Sequence, residues 1–163
     1  MTEDRADVVL REVTDSDLPV FFGHLRDPQA AAMAAIADDH PNDQHAFETR
    51  WAKLLRDPEV HARTITYAAS DEVLGHIVGL PVDGEFRVSY WVDRAHWGQG
   101  VATAALRAFL DEVPIRPMVA RAPRHNDAAV VVLKRNGFQM VGEESGYVLE
   151  RGTVIDELIL RHA

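Results

Sequence analysis

Two glycines, Gly98 and Gly100, stand in the run Asp93 to Leu106 (DRAHWGQGVATAAL), where a stretch rich in β-branched and aromatic residues gives way to apolar residues at helical spacing. Lacking Cβ atoms, they leave backbone N–H groups uncovered where a helix N-terminus already exposes unpaired donors and the positive end of its dipole. That combination is an anion cradle. A pyrophosphate could accept several backbone hydrogen bonds there without any basic side chain. The chain's charge suits such a device, because 17 basic against 26 acidic side chains leave a formal charge of -9. A phosphate-backbone-binding surface would have to be a local exception, so no nucleic-acid partner is expected and cationic partners fit better.

A strand must deliver this turn and a helix must carry it away. The 163 residues suit one domain with a real core, and 47% hydrophobic with 26% charged residues is the balance of a soluble globular protein. With no cysteine, disulfides, thiolate nucleophiles and thiolate metal sites are excluded. MTEDRADVV has no leader-like pattern and no run of about 18 apolar residues occurs, so a cytoplasmic protein without membrane contact is expected.

The residue pattern predicts a strand over Val8 to Val13 and helices over Asp17 to Leu25, Ala30 to Ile36 and Gln44 to Leu55. Arg63 to Ala68, Val73 to Val82 and Phe86 to Val92 then read as an antiparallel meander, with turns at Ser70-Asp71 and Asp83-Gly84. After the glycine turn come a helix over Val101 to Val113 and a strand over Met118 to Ala122. A helix over Asp127 to Arg135, closed by Asn136-Gly137, and strands over Phe138 to Val141 and Thr153 to Leu160 complete the chain. A mixed α/β (α+β) sheet with helices on both faces is the economical way to bury this order.

Three phosphate-binding patterns compete for the turn. The P-loop is excluded, because Val101 and Ala102 follow Gly100 where a lysine and a hydroxyl are required. The dinucleotide fingerprint fits poorly: Thr103 occupies its third glycine, and no acidic residue stands about 20 positions on. The third pattern, Gln/Arg-x-x-Gly-x-Gly/Ala, is met from position 97 with Gly100 and Ala102 in register and Trp97 replacing Gln/Arg. WGQGVAT at Trp97 to Thr103, Tyr90-Trp91-Val92 before it, and Asn126 followed by Leu133 and Gly137-Phe138 together resemble the GNAT superfamily of N-acetyltransferases. The likeness is to the branch that acetylates ribosomal-protein N-termini, covers most of the chain and is strongest from Tyr90 to Phe138.

The resemblance implies a GNAT-like, mostly antiparallel sheet of six to seven strands, with a splay between the strands that flank the glycine-turn helix. It implies acetyl-CoA as cosubstrate: Tyr90, Trp91 and Val92 line the pantetheine arm and acetyl carbonyl, and Trp97, Gly98, Gln99, Gly100, Val101, Ala102 and Thr103 hold the pyrophosphate. Asn126 hydrogen-bonds the arm from the opposite side, and the Val92 backbone N–H stabilises the oxyanion formed when a primary amine attacks the thioester. Homodimerisation through the final strands is left open by the same resemblance.

The chain departs from this branch where proton transfer is concerned. The branch's usual glutamate and serine positions hold Arg87 and Ala129, and the position where other superfamily members carry an acid tyrosine holds Leu133. The remaining candidates for acid and base are Glu85, His96, His125 and Tyr147, with water relayed to Glu85 and with Tyr147 as first choices. Arg87 could instead grip a carboxylate or phosphate on the acceptor. Tyr90, Trp91 and Trp97 also suit core or rim packing, and loop histidines such as His96 and His125 often only face solvent. Asp38, Asp39, His40, Asp43 and His45 lack a spaced ligand motif, so no metal is expected. The acceptor would be walled by the helices between Asp17 and Leu55 and a loop around Glu143 to Glu150, acidic segments suited to a cationic amine or a peptide N-terminus. Besides an N-acetyltransferase, a non-catalytic acyl-CoA-binding or sensing domain and a nicotinamide-dependent oxidoreductase remain open.

Overall fold

A computed structural model of the chain describes residues 7–27, 43–148 and 153–163, with the backbone alone for 146–148 and 153–155. The expected helix at Ala30 to Ile36 lies outside the described residues, as do Asp38, Asp39, His40 and Glu150.

The runs rich in β-branched and aromatic residues form seven strands: β1 (Val8–Glu12), β2 (His61–Tyr67), β3 (Val73–Val82), β4 (Glu85–Val92), β5 (Met118–Pro123), β6 (Gln139–Val148) and β7 (Thr153–His162). They make one sheet in the order β1-β2-β3-β4-β5-β7-β6, antiparallel except where β5 runs parallel to β4. The β3–β4 hairpin turns on Asp83-Gly84, whose φ angles of 51 and 82 are the doubly left-handed pair that matches strand twist in a two-residue loop.

After one 3-10 turn at Asp15–Asp17 come α1 (Leu18–Leu25) and α2 (Gln44–Arg56), followed by α3 (Val101–Glu112) and α4 (Asp127–Arg135). Asp43 starts α2 by accepting from the Ala46 N–H at 3.0 Å, as an N-cap rather than a metal ligand. Among the described residues no group of metal-ligating side chains forms, and no helix is long and apolar enough to cross a membrane.

Apolar spacing assigns each helix pair its face. Leu18, Phe21 and Phe22 of α1 and Phe47 and Trp51 of α2 pack with Ala62 and Val78 on one side of the sheet. On the other side, Val101, Ala105, Leu106 and Phe109 of α3 recur at turn spacing and pack with Phe86, Val88 and Val92 of β4, Met118 and Ala120 of β5, and Leu133 of α4. Each buried Val, Leu, Phe or Met among them contributes about 1.5–3 kcal/mol of transfer free energy, so both faces are firmly held.

One expected segment is corrected. Glu143 to Val148 is strand, not loop, paired with β7 from Glu143↔Leu158 to Val148↔Thr153. The sequence hides it because this hairpin is half in water: Met140 and Val141 are exposed, and the register shifts between Met140 and Gly142. A bulged, two-sided polar strand carries no alternation for a pattern to detect.

Candidate active site

The parallel strands β4 and β5 pair only at Phe86↔Met118 and Arg87↔Val119. Beyond those two positions they part, so the edges of β4 and β5 face each other unpaired toward their C-terminal ends. Unpaired backbone groups at a sheet edge are a template for another extended chain.

The orientation of Val92 follows from the ladder. The Asp93 N–H donates to the Leu74 carbonyl at 2.8 Å, making a bonded pair. Pairs alternate along an antiparallel ladder, so Val92 opposite Gly75 is not bonded to β3, and its N–H and C=O point into the split. Its carbonyl is taken by the Trp97 indole N–H at 2.9 Å, while the N–H faces the gap. Trp91, one residue earlier, turns its backbone to β3, so its part in lining the gap is smaller than the sequence suggests.

At the mouth of the split, Gly98 (φ 76) and Gly100 (φ 78) are left-handed, and the space a Cβ would take at either is open. Gly100 is the N-cap of α3 and supplies no side-chain cap. The first helical bond is made by Ala104 N–H, which leaves the amides of Val101, Ala102 and Thr103 as uncapped donors. Side chains fix this loop from outside: Tyr67 donates to Gln99 Oε1 at 3.3 Å, His96 Nε2 lies 3.1 Å from Glu72, and Arg94 Nε lies 2.9 Å from Asp27. His96, expected as a proton carrier or a solvent-facing side chain, is thus a loop anchor.

Across the gap, Asn126 caps α4 by accepting from the Ala129 N–H at 3.1 Å. Tyr90 lies between β4 and α4 with its hydroxyl 3.5 Å from the Ala129 carbonyl, and burial pushes the phenol's pKa upward, so it stays protonated. Asn136 was legible only as a helix stop. Its amide in fact donates to the Thr103 carbonyl at 3.2 Å and the Val132 carbonyl at 3.0 Å, tying the end of α4 to the start of α3.

The opposite face of the sheet carries the polar groups that sequence reading missed. Trp91 stands beside His76 across the β3–β4 ladder, and the His76 ring packs at 4.7 Å on Phe21 and 5.1 Å on Trp51. Burial pushes the His76 pKa down to about 3, so it is neutral. Asp93 reaches the end of α1, where His24 Nε2 is 3.9 Å from its carboxylate.

Two expected groups sit elsewhere. Glu85 is the first residue of β4, seven positions from Val92 or about 23 Å along a strand, and bonds Arg87 Nε at 3.2 Å. That removes it as a base for chemistry at the mouth. Arg87 is also 3.8 Å from Asp83, so two hairpin carboxylates neutralise it where the strands are still paired, away from an acceptor at the mouth. Tyr147 falls in β6, and its side chain is outside the described residues. His125 is exposed.

A family model described as an acetyltransferase (GNAT) domain matches residues 7–139. No curated protein matches the sequence. Among solved structures, the chain is similar to RimL, a ribosomal L7/L12 alpha-N-protein acetyltransferase in complex with coenzyme A, at 19% identity and TM-score 0.79 over 96% of this chain and 93% of that one. It is also similar to spermidine N-acetyltransferase from Vibrio cholerae in complex with CoA and spermine, at 14% identity and TM-score 0.83 over 96% and 95%. A microcin C7 self immunity acetyltransferase in complex with acetyl-CoA and AMP aligns at 15% identity and TM-score 0.78 over 96% and 92%. The split sheet, the uncapped glycine turn and a family model spanning most of the sequence agree, and the chain belongs to the GNAT acetyltransferase family.

Proposed function

We propose that this protein is an acetyl-CoA-dependent N-acetyltransferase that moves the acetyl group to a primary amine by direct attack on the thioester. The observation that carries it is the coincidence of two features at one end of β4: the parting of β4 from β5 and the uncapped amides that follow Trp97. An extended pantetheine arm suits the unpaired β4 edge, and a pyrophosphate suits the amides of Val101, Ala102 and Thr103 with the open space over Gly98 and Gly100. Coenzyme A supplies the activated acetyl group; the chain's part is to bind and orient it and to donate the Val92 N–H to the oxyanion. Asn126 and Tyr90 border the arm on the side of α4.

The acceptor would approach over the α1–α2 face. Beyond the split on that face, Arg121 pairs with Glu144 at 3.1 Å and lies 4.0 Å from Glu157, leaving an acidic excess suited to a cationic amine or a peptide N-terminus. β6 ends the sheet order, so a second copy pairing along it would extend the sheet; light scattering tests that proposed homodimer.

A second reading keeps the cradle without the chemistry. Leu133 is buried and apolar, and with Ala129 and Arg87 it removes the family's usual acid and base positions. A thiol-release assay over peptides with free N-termini, polyamines and small amines separates the two. Acceptor-dependent thiol supports the transferase, whereas acetyl-CoA binding without it supports a sensor. Heat protection by NADH and not by acetyl-CoA would overturn both.

A further inference from the structure

We infer that the Tyr90 hydroxyl, held between β4 and α4 on the coenzyme side of the split, donates a hydrogen bond to the thioester sulfur as the acetyl group leaves it. This rests on the acetyltransferase reading above and adds a catalytic residue at the leaving group, where Ala129 and Leu133 offer no side-chain donor. Tyr90 lies beyond Arg87, the last position at which β4 pairs with β5, so it stands on the split itself. The alternation that turns the Val92 N–H and C=O into the gap does the same for Tyr90, opposite Ile77. Side chains two apart on a strand share a face. Tyr90 and Val92 both pack with the α3–α4 core cluster, on the face opposite to the acceptor's approach.

From β4 the ring reaches across to the helix that follows β5, where its hydroxyl meets the Ala129 carbonyl at 3.5 Å, one turn past the cap Asn126. That contact is far from a satisfied bond. Hydroxyl hydrogen bonds centre at about 2.8 Å, and the carbonyl lies inside α4, where the helical ladder already claims it. Among the described residues the hydroxyl has no other partner, so a half-buried donor is left largely unused. A pantetheine arm that passes Asn126 and presents its carbonyl to the Val92 N–H runs alongside it. Burial raises the phenol's pKa, so the O–H stays protonated and serves as a neutral donor. Such a donor favours the products of bond breaking, because sulfur gains charge only as the C–S bond opens. The step balances: the amine nitrogen bonds to the thioester carbon, the C–S electron pair goes to sulfur, and Tyr90 keeps its proton while sharing it. The proton that nitrogen loses passes to solvent water, from which the thiolate is reprotonated.

The test uses the full chain with two probes: free coenzyme A, and acetyl-CoA with spermidine, phenylethylamine or a tripeptide with a free N-terminus. Bound coenzyme A, titrated by the ultraviolet absorbance of its thiolate, should ionise about one pH unit lower on the wild type than on Tyr90→Phe, since the hydroxyl favours the charged form. Tyr90→Phe should also lower kcat by about tenfold or more, with the KM for acetyl-CoA within about twofold of wild type. A packing role moves neither quantity, because phenylalanine keeps the ring. Equal thiol titrations in the two proteins, or a Tyr90→Phe kcat within about threefold of wild type, overturns the assignment and leaves the transferase standing. If Tyr90→Phe does not fold, a thiol that ionises no lower on the wild type than free in solution overturns it equally. A wild-type protein that binds acetyl-CoA yet acetylates no probe amine sinks the transferase reading, and the catalytic role with it.

Discussion

The indole N–H of Trp97 donates to the carbonyl oxygen of Val92 across 2.9 Å, closing the strand end onto the glycine loop. The residue that replaces the family's usual Gln or Arg therefore ties the glycine turn to the end of β4, whose Val92 N–H is the proposed oxyanion donor. We expect Trp97→Phe, which keeps a ring but loses the donor, to cost about 1 kcal/mol of stability. The KM for acetyl-CoA should rise several-fold with kcat less affected. Steady-state kinetics beside urea unfolding reads both, and an unchanged KM would reduce Trp97 to packing.

Gly100 serves the cradle twice, by its φ of 78 and by the empty space beside it. In Gly100→Glu the left-handed backbone costs roughly 1–2 kcal/mol, and a carboxylate is set against the diphosphate. We expect acetyl-CoA affinity by calorimetry to fall at least tenfold, with the far-UV spectrum retained; affinity equal to wild type would remove the cradle from cofactor binding.

Asn126 caps α4 and, in the proposed complex, would also contact the pantetheine arm. Its Oδ1 already accepts from the Ala129 N–H. Asn126→Asp keeps an acceptor for the cap but loses the amide donor, so it should preserve thermal stability while raising the KM for acetyl-CoA. Asn126→Ala should lose about 1 kcal/mol as well. Equal KM values in Asn126→Asp and wild type would leave the residue a cap alone.

How much of this was legible depends on whether a residue acts through its neighbours in sequence or across the sheet. The glycine turn, the Asp83-Gly84 hairpin and the amphipathic α3 are local devices, and each stands where spacing puts it. Arg87 and Glu85 show the limit of that reading. Near in sequence to Tyr90, they lie down the strand, on the hairpin side of the point where β4 and β5 part. His24 and Asp93, 69 positions apart, meet only because α1 packs on this face of the sheet, and no periodicity announces a helix-end histidine opposite a strand-end carboxylate. Asn136 is similar: the helix stop was readable, and its bond to Thr103, 33 positions away, was not.

Gly75 is another residue whose importance is purely spatial. A Cβ there would lie 1.9 Å from the Trp91 carbonyl oxygen, a backbone atom that cannot swing aside. Gly75→Ala must push β3 from β4 beside Val92. We expect a loss of about 1–3 kcal/mol in urea unfolding together with reduced kcat, because Val92, the proposed oxyanion donor, moves with its strand. Wild-type stability in this variant would mean that the ladder relaxes there without cost.

Asp17 sets the acid limit of the fold. Burial alone would raise its pKa, but two hydrogen bonds from Arg11 at 2.8 and 2.9 Å, the Thr14 N–H at 2.9 Å and the Thr64 hydroxyl at 2.8 Å outweigh it and hold the carboxyl at about 2, below its ordinary 3.8. A carboxylate depressed in the folded state contributes stability that is fully present above its unfolded pKa and lost as pH falls through the folded one. The contribution should therefore fade between about pH 4 and 2, by roughly 2 kcal/mol. Asp17→Asn should flatten the stability profile in that window and lower stability at pH 7, since Arg11 loses its counter-charge. Urea midpoints measured from pH 2 to 7 for both proteins check it, and parallel profiles would show that this carboxyl is not what acid attacks first.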